Sequence, residues 1–239
     1  MSRHILVDRS EKEIAWFQRR DFLSAAAAWT AMGGFSAAQA QSRSNVIELQ
    51  GDALLNGQRL LPVHTIQSGD QIVTGPDTTL VFVVGNTAFK VRQNTQMAVE
   101  RGTSINAVSV LRLLAGAVAS VWGRGDLRQI VTPTLTAGIR GTGVYTEVSA
   151  KDNGRSYFCT CYGTVDLVAG RERVTAQTEY HQAYWAEPQP RQGRMLTAAG
   201  AINHTDEEIE MLARLVGQQT AWQISGKKGV RDGHGYMQK

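Results

Sequence analysis

The chain has 239 residues, with 25 Lys+Arg against 21 Asp+Glu and a formal charge of +4. No block of like charge dominates, so nothing marks it as a nucleic-acid binder. A hydrophobic content of 42% excludes a disordered chain, and the length allows one domain or two small ones.

The first signal along the chain is Arg19-Arg20-Asp21-Phe22-Leu23, a paired arginine followed by an aromatic residue and a leucine. An uncharged, Ala-rich run from Ser24 to Phe35 comes next, and Ala38-Gln39-Ala40 then offers small residues at the two positions a signal peptidase reads. This order is that of a secretory signal, and the arginine pair points to the twin-arginine route. The apolar run is broken by Thr30 and Gly33-Gly34 and falls short of the roughly 20 residues a membrane span needs. Residues 1–40 are therefore expected to be a signal peptide cut after Ala40. The mature chain is expected in the periplasm, not spanning the membrane.

From residue 45 to 174 strand and turn patterns alternate. Ala53-Leu54-Leu55, Asn56-Gly57 and Arg59-Leu60-Leu61 read as a hairpin, because Asn-Gly suits a type I′ turn. Leu80 to Val84 is apolar on both faces, as a doubly covered strand would be. In Ala88-Phe89-Lys90-Val91-Arg92 the apolar residues alternate with charged ones. Val108 to Val121 is interrupted by Gly116 and is expected as two short strands, as are Ser156 to Tyr162 and Thr164 to Val168 around Gly163. Turn signals recur about every ten residues, the mark of a sandwich, barrel or solenoid. The fold expected is all-β, a twisted β-sandwich or β-solenoid-like domain followed by a short C-terminal α-helix.

Pro188, Pro190 and Gly193 mark residues 175–203 as a linker or extension. Thr205 with Glu208 three residues on forms a capping box, and Ile209, Leu212, Leu215 and Val216 follow at helical spacing. A capped helix is expected over 204–218 and a flexible tail over 219–239.

Several of these stretches resemble the FecR domain family. They are Gly69-Asp70 and Thr74-Gly75 flanking a short strand, the paired apolar strands from Leu80 to Val91, and Leu113-Leu114-Ala115-Gly116-Ala117-Val118. The most specific are Thr132-Pro133, then Ile139-Arg140-Gly141-Thr142-Gly143-Val144-Tyr145, and finally Gly163-Thr164-Val165. The resemblance implies a periplasmic β domain that engages a protein partner, an envelope protein or a cell-wall ligand. The iron-transport regulator of that family has a cytoplasmic anti-sigma segment and a membrane span, where this chain shows a cleavable signal. Sigma-factor control is therefore not implied.

Cys159-Thr160-Cys161 lies in an expected strand, so both thiols face one side. Their Cα atoms would stand about 6.5–7 Å apart, at the edge of disulfide geometry. Three readings follow: two buried thiols, a strained or intermolecular disulfide, or a metal site. His181 and His204 are the residues that would complete a Cys/Cys/His/His shell for a soft ion (copper, zinc or iron), and Met195 is a further ligand for copper. His64 and His234 show no partners. No nucleophile elbow, Walker loop or HExxH motif appears, and Glu147 and Asp166 read as isolated, solvated carboxylates. The expected function is a non-enzymatic binding or sensing module. The alternative is a metal- or redox-active protein built on Cys159 and Cys161.

Overall fold

The computed structural model describes residues 44–125, 127–226 and 228. The signal residues Arg19, Arg20, Phe22 and Leu23, the cleavage positions Ala38 and Ala40, and His234 lie outside the described residues, as does most of the expected tail. Among the described residues the fold is all-β, followed by two short helices.

The strands run in chain order as β1 Val46–Gln50, β2 Ala53–Leu55, β3 Gln58–Arg59, β4 Gln71–Thr74 and β5 Thr79–Val84. They continue as β6 Thr87–Val91, β7 Gln96–Arg101, β8 Val108–Trp122, β9 Arg128–Val131 and β10 Thr136–Ile139. The last five are β11 Gly143–Ser149, β12 Arg155–Ala169, β13 Glu172–Thr178, β14 Gln182–Arg191 and β15 Arg194–Ala199. Helix α1 is Asp206–Leu215 and α2 is Ala221–Ser225.

Pairing divides the strands into two sheets. The first has the order β1-β5-β6-β8-β11-β12-β14-β15. The second has the order β3-β2-β4-β7-β8-β9-β10-β12-β13, in which only β8 and β9 are parallel among the described strands. Strands β8 and β12 belong to both, each leaving one sheet and entering the other at a glycine. Gly116 and Gly163 sit at these corners with φ of +82° and +97°, a region closed to most side chains. A Cβ on Gly116 would also collide with Thr95 and the Asn94 carbonyl. The sequence pattern suggested a strand break at both glycines, but each is a bend within one 15-residue strand. The Asn56-Gly57 turn forms as expected, with φ of 53° and 79°.

Alternation on the strands creates two cores. Phe82, Phe89, Val118, Trp122, Val144 and Phe158 of the first sheet meet Ile72, Met97, Val99, Leu111, Leu113 and Ile130 of the second. Their opposite neighbours on the first sheet, among them Val81, Ala119, Val121, Tyr145, Tyr157 and Tyr162, face outward. There they are covered by Ile209, Leu212 and Ala213 of α1 and Trp222 of α2. The chain is thus a sandwich with a helical cap on the outer face of its first sheet.

The stretch 175–203 is not a linker. It holds the end of β13 and the whole β14–β15 hairpin. Pro188 and Pro190 are tolerated because β14 has left β12 beyond Ala186, and its pairing with β15 is irregular between Ala186 and Arg191. The turn itself is Gln192-Gly193, both at positive φ. The region beyond 218 also holds α2, opened by Thr220, whose side chain accepts from the Gln223 backbone N–H.

Candidate metal centre

Cys159 and Cys161 lie in the first-sheet half of β12 and point outward, toward the cap. Both are fully buried, with free thiols. His181 occupies the turn between β13 and β14. Its φ of 34° is left-handed, and its backbone N–H donates to the Cys161 carbonyl at 2.9 Å. A non-glycine residue held there over a buried cluster is the strain expected of a functional position. His204 lies between β15 and α1 and is also buried.

These four residues bring their donor atoms within 4.8 Å of one another. Cys159 Sγ is 3.5 Å from His181 Nδ1, Cys161 Sγ is 3.4 Å from His204 Nε2, and the two imidazole nitrogens are 3.2 Å apart. The four residues proposed from the sequence thus lie together in the structure. Met195 does not join them and packs against the inter-sheet core.

The second nitrogen of each imidazole fixes its tautomer. His204 Nδ1–H donates to the Ile202 carbonyl at 2.6 Å, and a carbonyl can only accept. His181 Nε2–H donates to the Asp206 carboxylate at 2.9 Å. Both remaining nitrogens then present lone pairs to each other and to two sulfurs. These lone pairs can be satisfied by the thiol protons or by a metal ion at the centre. Imidazoles that donate their far N–H to a carboxylate or a carbonyl are the usual support of metal-bound histidine.

The electrostatics agree. Burial would raise the Cys159 thiol, but hydrogen bonds with Cys161, His181 and His204 hold it well below the ordinary thiol value. Burial would lower His181, yet Asp206 and Cys159 keep it above the ordinary imidazole value. Asp206, desolvated by burial, is still held below the usual carboxylate range by His181 and Tyr180.

Aromatic rings close the surroundings. Tyr145, paired with Cys159 across β11 and β12, stacks on His204 at 4.7 Å. Trp222 stacks on His181 at 5.4 Å, and Tyr180 donates its hydroxyl to Asp206 at 2.9 Å. Tyr157 donates to the Gly200 carbonyl and accepts from the Ile202 N–H, which holds the segment leading to His204.

Sequence reasoning missed Asp206, legible only as an acid in the first turn of a capped helix. The other expected carboxylates also have partners. Glu147 accepts from Tyr145 and Asn203, and Asp166 from Thr175 and Arg140. His64 Nδ1 accepts from the Leu61 backbone N–H and is not among the four clustered donors.

No family profile matches the chain, and no curated protein matches it. Two solved structures do, both described as candidate anti-sigma factors from Parabacteroides distasonis. The first has 11% identity and a TM-score of 0.46, covering 62% of this chain and 65% of that one. The second has 14% identity and a TM-score of 0.34, covering 64% of this chain and 60% of that one. The match thus spans less than two thirds of either structure.

Proposed function

We propose that this chain is a non-enzymatic, FecR-like binding module, exported to the periplasm, that holds one zinc ion between Cys159, Cys161, His181 and His204. The observation that carries the metal reading is the convergence of four buried donors whose outer nitrogens are already committed to Asp206 and Ile202. The spacing suits a tetrahedral ion, and a closed Cys2His2 set is the usual shell of structural zinc. Bond lengths of about 2.3 Å to sulfur and about 2.0–2.1 Å to nitrogen, taken at tetrahedral angles, give edges of about 3.6 Å for S–N and about 3.4 Å for N–N. The separations of 3.4–3.5 Å and 3.2 Å match both. Thiolates this close to imidazoles would share one ion, unlike the separate Cys and His irons of a Rieske-type cluster. All four donors are buried, which leaves no open position for substrate and favours a structural ion over a catalytic one.

The binding role and the periplasmic address rest on the FecR-like motifs and on the arginine pair. The expected partner is a protein or cell-envelope ligand. Elemental analysis of the purified protein tests the metal reading: one zinc per chain is expected, lost in Cys159→Ser/Cys161→Ser. An unchanged metal content in that variant would overturn it.

A further inference from the structure

We infer that the ion is a latch for the helical cap, residues 200–226, so that zinc occupancy sets whether the outer face of the first sheet is covered. This rests on the zinc reading above and names what the ion controls.

The distribution of ligands is the first ground. Cys159, Cys161 and His181 belong to the sheet and its β13–β14 turn, whereas His204 enters from the cap. The ion therefore bridges cap and sheet. Two further cap contacts lean on the same imidazole. Asp206, in the first turn of α1, accepts from His181, and Trp222 of α2 stacks on it. Fixing His181 fixes both contacts.

The second ground is that the cap cannot hold itself. Helix α1 has ten residues and α2 has five, both too short to be stable alone in water. They exist because Ile209, Leu212, Ala213 and Trp222 lie on Tyr145, Tyr157, Tyr162 and Val121. Outside the metal cluster, Glu208 pairs with Lys90 and Arg92 at 2.6 and 2.7 Å, and Tyr157 holds residues 200 and 202. These position the docked cap without closing over the ion.

The third ground is access. The four donors are buried beneath the cap, so an ion enters or leaves only when the cap lifts. Coupling between the two is reciprocal: zinc stabilises the docked cap, and the docked cap retains zinc. With zinc gone, the cap opens about 100-fold more readily and bares a face lined by three tyrosines.

Hydrogen exchange on purified protein tests this, before and after stripping by a chelator, with zinc content measured on the same samples. At free zinc 100 times its Kd, amides of 206–225 should be protected about 100-fold more than in stripped protein. Leu111 and Leu113 in the inter-sheet core should change far less. Stripped protein with undiminished cap protection would overturn the latch, and so would an equal loss across both sheets. Leu212→Ala, in the cap and away from the four ligands, supplies a second reading. It should keep one zinc per chain yet surrender it to a chromophoric chelator at least tenfold faster, and an unchanged rate would overturn the latch. Protein that never takes up zinc overturns the metal reading itself, which the zinc content shows before any exchange is read.

Discussion

Gly143 is the point where a single methyl group should be felt by the cap. It is buried at the start of β11, paired with Tyr162 on one side and Val121 on the other. A Cβ built there would overlap Tyr162 Cε1 and stand 3.0 Å from both Tyr162 Cδ1 and Ile209 Cγ2, tighter than nearly all real contacts. Tyr162 has little room to yield, because its ring packs edge-on against Trp222 at 5.6 Å. Gly143→Ala therefore overpacks the sheet–cap core, at a cost of about 1–3 kcal/mol. With m near 2 kcal/mol/M, that is a drop of about 1 M in the urea midpoint. The comparison belongs at saturating zinc, so that metal binding contributes equally to both proteins. In a Tyr162→Ala background the ring is gone, and the same methyl should cost well under 1 kcal/mol. The two changes should thus couple by at least ~1 kcal/mol. Equal costs in the two backgrounds would show that the contact on Tyr162 is not what excludes a side chain at 143.

Other expectations follow from the same contacts. Asp206→Asn leaves the shape intact but removes the carboxylate that orients His181, and should weaken zinc binding about 10–100-fold in chelator competition. The His181 imidazole is held above its ordinary value of 6.5, so between pH 5 and 6.5 the metal-free site carries a proton there that zinc must displace. Zinc affinity should therefore rise at least ~10-fold per pH unit across that window, and a flat profile would contradict the assignment of His181 as a ligand. Glu208→Gln removes the partner of Lys90 and Arg92, both partly buried, and should destabilise the protein by about 1.5–3 kcal/mol in urea titration. Glu208 itself is held below the usual carboxylate range: burial opposes this, but Lys90 and Arg92 outweigh it. Its contribution is present above 4.5, the ordinary value, and is lost as pH falls below it. Glu208→Gln should accordingly flatten part of the acid limb.

Local rules carried the sequence reading a long way. Alternation placed Cys159 and Cys161 on one face, and Asn56-Gly57 and the Thr205–Glu208 box formed as their chemistry requires. The failures came where a local signal had two meanings. Glycine at 116 and 163 reads as a strand end, yet each strand turns a corner there because the neighbouring strands of both sheets continue to pair with it. Pro188 and Pro190 read as a linker, yet a strand accepts proline where its partner has departed. Asp206 was hidden for a different reason. Its pairing with His181 spans 25 residues and depends on the register of β12 against β14, which no local pattern reports. The face under the cap was equally hidden, since Tyr145, Tyr157 and Tyr162 look like ordinary strand aromatics until α1 and α2 cover them.

X-ray absorption at the zinc edge of the purified protein reads the ligands of the ion itself. Zinc held by Cys159, Cys161, His181 and His204 should show two sulfurs at about 2.3 Å and two nitrogens at about 2.0–2.1 Å. A shell of oxygen and nitrogen alone, or no zinc beside two reduced and titratable thiols, would contradict that ligand set.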